Sequence, residues 1–144
     1  MQLDETDWQI LNILSEENQT NSAIARQLGL SEGAIRQRIK KLTGEGILKI
    51  KALRDPNALD NQQLAVIAIS VEETKQLDIK AREIAKLKNV LAVSAVSGQY
   101  DLLAEVLVDS NKGLVKFLID ELASVEGVAK TESFVVLKSY NKFI

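Results

Sequence analysis

The sequence predicts an α+β protein in two parts: a helical N-terminal third, then a longer segment whose strands and helices run βαββαβ. Three observations carry this. Apolar residues recur at helical spacing through the first 43 positions. Near-continuous runs of β-forming residues, "LAVIAISV", "VLAVSAV" and "LLAEVLV", follow residue 63. Between the two regions lies "RDPNALDNQQ", which holds the single proline and a cluster of Asp and Asn. The expected division is residues 1–54, a linker at 55–63, and residues 64–144.

In the first helix Trp8, Leu11 and Leu14, flanked by Ile10 and Ile13, form an apolar stripe, with Asp4 placed to cap it. A shorter helix spans Asn21 to Leu28, with Ile24, Ala25 and Leu28 inward. Gly29 follows at the position where positive φ costs glycine least. Ser31 caps a third helix with Ile35, Ile39 and Leu42 on one face, ending in "TGEG". Two short helices joined through Gly29-Leu30-Ser31 have helix-turn-helix spacing. After them "ILKIKAL" alternates as a strand, which suits a wing carrying Lys49 and Lys51 on one side.

Charge is distributed to match. The whole chain of 144 residues carries a formal charge of −2, yet its first 33 residues set Arg26 against six acids. Residues 34–54 then hold Arg36, Arg38, Lys40, Lys41, Lys49, Lys51 and Arg54 against Glu45 alone. A basic block that local inside an acidic chain suits phosphate contact. With Ile35 inward, Gly33, Gln37 and Lys40 face outward, flanked by Arg36 and Lys41. These side chains reach base edges and phosphates in a major groove, and Gly33 permits close backbone approach. Arg38 lies nearer the apolar edge, where it grips a phosphate or packs its stem. The expected DNA contacts are Ser31, Gly33, Arg36, Gln37, Arg38, Lys40, Lys41, Lys49 and Lys51. The plainer alternative is a three-helix core with a decorated surface.

Beyond the linker the strands are Leu64–Val71, Val90–Val96, Tyr100–Val108 and Val128–Tyr140. The helices are Thr74–Leu87, with Leu77, Ala81, Ile84 and Ala85 inward, and Asn111–Ser124, with Leu114, Phe117, Leu118 and Leu122 inward. The halves echo each other: "KLKNVLAVSAV" and "SVEGVAKTESF" each leave a helix and enter a strand, with Val90 matching Val128. This is a ferredoxin-like split βαβ unit. Two helices cover one face of such a sheet. Strand 64–69 is apolar on both faces, so a dimer packed sheet to sheet is expected.

Absences narrow the chemistry. Cysteine and histidine are both zero, which removes thiolate nucleophiles, the commonest metal ligand and the usual general base near pH 7. No Walker A loop or GxGxxG occurs among the 7 glycines. No cofactor is expected, and no enzyme activity. No run approaches the roughly 18 apolar residues of a membrane span, and "MQLDETDW" has no apolar leader core. A cytoplasmic location and no membrane partner are therefore expected. Residues 97–101, "SGQYD", join two strands, and two readings stand. Asp101 hydrogen-bonds the turn while Tyr100 packs, or the loop holds a ligand.

The chain resembles the Lrp/AsnC (feast/famine) transcription regulators along essentially its whole length. "LDETDWQILNIL" is similar to the opening pattern LDxxDxxILxxL, and "IARQLGLSEGAIRQRIKKL" followed by "GEGIL" to the helix-turn-helix consensus. Ala25, Leu28, Gly29, Ser31, Arg38, Ile39, Leu42, Gly46 and Ile47 stand on its matching positions. "SGQYDLL" resembles the GxxD element of the sensor half. Ser97 stands where Thr is usual, and Gln37 where a second Arg is common. The resemblance implies a winged helix-turn-helix domain plus a ferredoxin-like effector and oligomerisation domain. It also implies homodimers assembling to tetramers or octamers, double-stranded DNA as partner, and a small effector, usually an amino acid. Effector positions carried over by the resemblance are Gly98, Tyr100 and Asp101, with Thr131 and Ser133 behind them. Asp101 suits an ammonium and the backbone N–H groups around Gly98 a carboxylate.

The expected function is a sequence-specific DNA-binding regulator gated by a small effector. One alternative is an architectural DNA-binding protein with no effector. Another is a sirohaem-decarboxylase-like enzyme of the same build. A site of that kind is expected to use histidine or clustered arginines, and the sensor half has Arg82 as its one arginine.

Overall fold

A computed structural model describes residues 1–110 and 112–144. The chain forms two compact units, Met1–Ala52 and Leu53–Ile144.

The first unit holds three helices, α1 (Glu5–Glu16), α2 (Asn21–Leu28) and α3 (Glu32–Gly44). Each starts at a capping side chain: Asp4, Thr20 and Ser31 accept from backbone N–H groups of the first turn. Asp4 and Asp7 cap reciprocally, each carboxylate taking the other's backbone N–H. Gly29 ends α2 at φ 66°, the left-handed conformation its sequence position predicts. The core is Ile10, Ile24, Ala25, Ile35 and Leu42, ringed by Leu3, Leu11, Ile13, Leu14, Leu28, Ile39 and Leu48.

Two expectations fail in this unit. Trp8 is 54% exposed and outside the stripe. Ile10 is fully buried, and two helical residues span about 200°, so both cannot face inward. Residues 48–55 are extended without a strand ladder, so the wing strand "ILKIKAL" is not formed. A strand needs a paired neighbour; here Leu48 bonds back to Leu42 at the end of α3, and Arg54 pairs with Ile144 by two bonds of 2.7 and 2.9 Å.

In the second unit the order is β1 (Gln62–Val71), α4 (Leu77–Ala85), β2 (Val90–Ala95), β3 (Leu102–Asp109), α5 (Gly113–Lys116) and β4 (Val128–Val135). A 3₁₀ turn, Thr74–Gln76, leads into α4. From α5 the helical path continues as a π turn, Phe117–Glu121, and a 3₁₀ turn, Leu122–Ser124. The antiparallel sheet has order β2-β3-β1-β4, the ferredoxin-like arrangement. One face carries Ala65, Ile67, Ile69, Leu102, Ala104, Val106 and Val108 against Ile84, Phe117 and Leu122 of the helices.

Boundaries shift from expectation. Asn111, expected to open a helix, lies outside the described residues. β3 begins at Leu102, because Tyr100 and Asp101 belong to the turn, and β4 ends at Val135. Ala85 is exposed while Ile84 is fully buried; adjacent helical residues point about 100° apart. The stretch 55–63 is not a free linker. Asp55 caps a 3₁₀ turn, Pro56–Ala58, and Asn57 is bonded to Ser139.

The opposite sheet face carries Leu64, Val66 and Ala68, with Leu103, Leu107 and Phe134 beside them by register. Glu105, paired with Val66, interrupts it. Lys142 reaches Glu105 as an ion pair, so residues after β4 supply part of a second layer from within the chain. Phe134 remains 50% exposed.

Candidate functional site

Two places collect the residues singled out by sequence: the outer side of α3 and the loop before β3. On α3, Ser31 is spent on the cap, its Oγ accepting from the Ala34 N–H at 3.1 Å. Nothing lies within 4 Å of a Cβ built on Gly33. Arg36 donates to Glu32 one turn earlier at 2.6 Å, and Glu32 also takes the Ser22 hydroxyl at 2.9 Å. The Arg36–Glu32 pair is exposed, so water weakens it and a phosphate can displace it. Gln37, Lys40 and Lys41 are exposed, and neither lysine has an ion-pair partner among the described residues. Lys49 and Lys51 are exposed on the extended stretch beyond Gly46.

Arg38 differs from the rest. Its Nη1 donates to both oxygens of Asp4, at 2.9 and 2.8 Å, and to Asp7 at 2.8 Å. Asp7 is 5% exposed. The Arg38 hydrogen bond, then the Asp7 backbone N–H, hold the Asp4 carboxyl below its ordinary range. The phosphate grip expected of Arg38 therefore competes with two carboxylates already in place. A groove of about 430 Å³ lies beside this bridge, lined by Gln2, Ala34, Gln37 and Lys41 among others.

In the loop, Gly98 has φ 155° and open space at its Cβ position. Asp101 stitches the turn to β1: its N–H donates to the Ile69 carbonyl at 2.9 Å, and its carboxylate accepts the Val71 N–H at 2.9 Å. The Tyr100 hydroxyl donates to Glu132 at 2.7 Å, which pushes its pKa up, and Lys130 Nζ lies 5.7 Å from the ring centroid.

Thr131 and Ser133 are not part of this cluster. They pair with Ile69 and Ile67, whose side chains face the helices. Antiparallel partners share a face, so Thr131 and Ser133 lie across the sheet from Lys130 and Glu132. Thr131 lines a groove of about 340 Å³ with Leu118, Leu122, Val125 and Val128, which Lys130 also borders. The structure thus brings Tyr100, Lys130 and Glu132 together, and sequence reasoning missed the last two. Strict alternation along β4 was the available signal, but it does not say which face meets the loop.

Comparison with known proteins adds two matches. A winged helix-turn-helix DNA-binding model covers residues 3–49, and the Lrp/AsnC ligand binding domain covers residues 64–143. The chain belongs to the Lrp/AsnC family. It is an Lrp/AsnC transcription regulator, with a helix-turn-helix DNA-binding domain followed by a ligand-binding domain. Among curated relatives it is 37% identical over 136 residues to an uncharacterised HTH-type transcriptional regulator of Pyrococcus furiosus, covering 93% of this chain and 91% of that protein. It is 34% identical over 141 residues to the HTH-type transcriptional regulator LysM of Saccharolobus solfataricus, covering 96% of each. Among solved structures, a transcriptional regulator of Neisseria meningitidis in complex with L-Met superposes with a TM-score of 0.69 at 29% identity, covering 98% of this chain and 94% of that one. These Lrp/AsnC relatives are named as transcription regulators. Among the described residues no helix is long and apolar enough to cross a membrane.

Proposed function

We propose that this chain binds double-stranded DNA by laying Gly33, Arg36, Gln37 and Lys40 of α3 into a major groove, with Ser31, Lys41, Lys49 and Lys51 on flanking phosphates. We further propose that an amino acid bound at Gly98–Asp101 gates that binding. The observation that carries the first part is the side of α3 facing away from Ile35 and Leu42, where exposed Lys40 and Lys41 have no ion-pair partner among the described residues. Helix-turn-helix proteins read bases with such a face. A homodimer, assembling further to a tetramer or octamer, would present several such helices at once. The regulator of Neisseria meningitidis solved with L-Met supports an amino acid as the effector class.

One experiment tests both parts: equilibrium binding to DNA enriched from a random pool, over a salt series, with each of the twenty amino acids at about millimolar concentration, roughly a thousandfold above a micromolar Kd. Arg36→Ala or Gln37→Ala is expected to relax sequence preference. Lys49→Ala is expected to weaken all DNA and lower the salt slope by about 1. Equal binding by all three variants refutes the interface. Binding and sedimentation that stay unchanged across every amino acid refute the gating.

An effector-independent architectural protein is the second reading, and one observation favours it. Asp101 Oδ2 already accepts the Val71 N–H and Tyr100 already donates to Glu132, so both side chains have partners within the chain. Calorimetric titration with amino acids separates the two.

A further inference from the structure

We infer that Arg38 is a positioning residue for sequence reading: its bridge to Asp4 and Asp7 sets the rotation of α3 about its own axis. This rests on the DNA-binding reading above and assigns Arg38 a role other than phosphate contact. The spacing 35, 38, 42 places Arg38 on the same stripe as Ile35 and Leu42, both fully buried. Its side chain therefore leaves the helix away from Gly33 and Lys40, with Gln37 lining the groove between.

What it meets there is already fixed. Asp4 and Asp7 are locked to each other's backbone N–H groups by the reciprocal cap, at 2.8 and 3.1 Å. Those carboxylates cannot follow Arg38; Arg38 must come to them. Asp7 is nearly buried, and a buried carboxylate holds its charged partner strongly because the alternative is an unpaired charge. Ile10 of α1 packs in one apolar cluster with Ile35 and Leu42 of α3. Apolar contacts are non-directional and resist separation more than rolling. The two Nη1 hydrogens, shared among three carboxylate oxygens at 2.8 to 2.9 Å, resist rolling. A roll of about 10–20° is the scale at which a recognition geometry is lost.

A phosphate contact and a positioning residue leave different signatures. Losing a phosphate contact weakens all duplexes alike and lowers the salt slope by about 1. Losing a positioning residue lowers the preference for enriched over random duplexes and leaves the slope alone. The experiment measures fluorescence anisotropy of the full chain on enriched and random-sequence duplexes of equal length, with salt varied over about fourfold. Arg38→Gln is expected to cut the preference roughly tenfold with an unchanged slope, whereas Lys41→Gln serves as the phosphate-type comparison. Asp4→Asn covers the case in which Arg38→Gln does not fold. Asp4 is exposed, and its amide still accepts the Asp7 N–H, so the variant loosens the bridge while keeping the cap. It is expected to lower the preference several-fold with no loss of slope. Arg38→Lys, which keeps the charge on a shorter side chain, is expected to fall between wild type and Arg38→Gln. A salt slope lowered by about 1 with the preference intact in Arg38→Gln overturns the inference, as does an Asp4→Asn preference equal to wild type. Wild-type protein that binds no DNA at any salt refutes the interface itself, a result distinct from either.

Discussion

Asn57 and Ser139, 82 positions apart, hold each other through two hydrogen bonds: the Asn57 amide donates to the Ser139 carbonyl at 2.8 Å and accepts the Ser139 N–H at 2.9 Å. With Lys142–Glu105 and the Arg54–Ile144 backbone pair, this clamp pins the stretch after β4 at three points.

Asn57→Ala removes both bonds and leaves the buried Ser139 backbone without its partners. It is expected to destabilise the second unit by about 1–3 kcal/mol. Chemical unfolding of the variant measures the loss, and hydrogen exchange at the Ser139 amide should speed up while amides of α1 to α3 stay as protected as before. Unchanged exchange at Ser139 would show that the clamp contributes nothing.

Acid sensitivity of the first unit follows from Asp4. The Arg38 hydrogen bond, followed by the Asp7 backbone N–H, lowers its folded pKa from the ordinary 3.8. A depressed folded pKa gives stability that is fully present above the unfolded value and fades as pH falls through the folded one. The loss is therefore expected below about pH 3.8. Trp8, the single tryptophan and a member of α1, reports it by fluorescence. Asp4→Asn should remove that part of the acid dependence.

Tyr100 shifts the other way. Its hydroxyl donates to Glu132, and that bond is the main reason its pKa lies above 10.0. A raised folded pKa means the stabilising bond is complete below the unfolded value and is lost as pH rises through the folded one. Ultraviolet titration should show one of the two tyrosines ionising late, and Glu132→Gln should bring it back toward 10.0. Tyr100→Phe should abolish the late step. If the late tyrosine persists in Tyr100→Phe, the bond is absent in solution.

Two glycines should answer in opposite directions. Gly29→Ala places a side chain at φ 66° and is expected to cost roughly 1–2 kcal/mol, from backbone strain alone since nothing lies within 4 Å. Gly33→Ala sits inside α3 with equal space around it. It is expected to stabilise the helix by up to about 1 kcal/mol while weakening DNA binding, because the added methyl enters the face proposed to approach the groove. Thermal melts and anisotropy on the same two variants check both signs. DNA binding of Gly33→Ala equal to wild type removes Gly33 from the interface.

Much of the fold was legible because its signals are local. Capping by Asp4 and Ser31, the positive φ of Gly29 and the apolar periodicity of α2 and α3 are each decided within a few residues. Trp8 was misplaced for a related reason. α1 has apolar residues on more than one side, and periodicity alone cannot rank Trp8 against Ile10. The burial of Asp7, one turn before Ile10 and paired to Arg38, settles which side faces in. The wing strand failed because composition does not supply a partner: "ILKIKAL" has strand composition, but among the described residues no strand pairs with it.

The candidate site divides along the same line. By itself, the sequence determined which face of α3 is cationic, that the second half is a doubled βαβ unit, and that histidine and cysteine chemistry is excluded. Those features follow from residue type and spacing. Only the tertiary structure decided that Arg38 turns toward Asp4 and Asp7, that Tyr100 meets Glu132 and Lys130 while Thr131 and Ser133 lie across the sheet, and that 55–63 is clamped to Ser139. Each of these joins residues about 30 or more positions apart. Strand register and helix rotation set such meetings, and both are fixed only when the apolar faces pack.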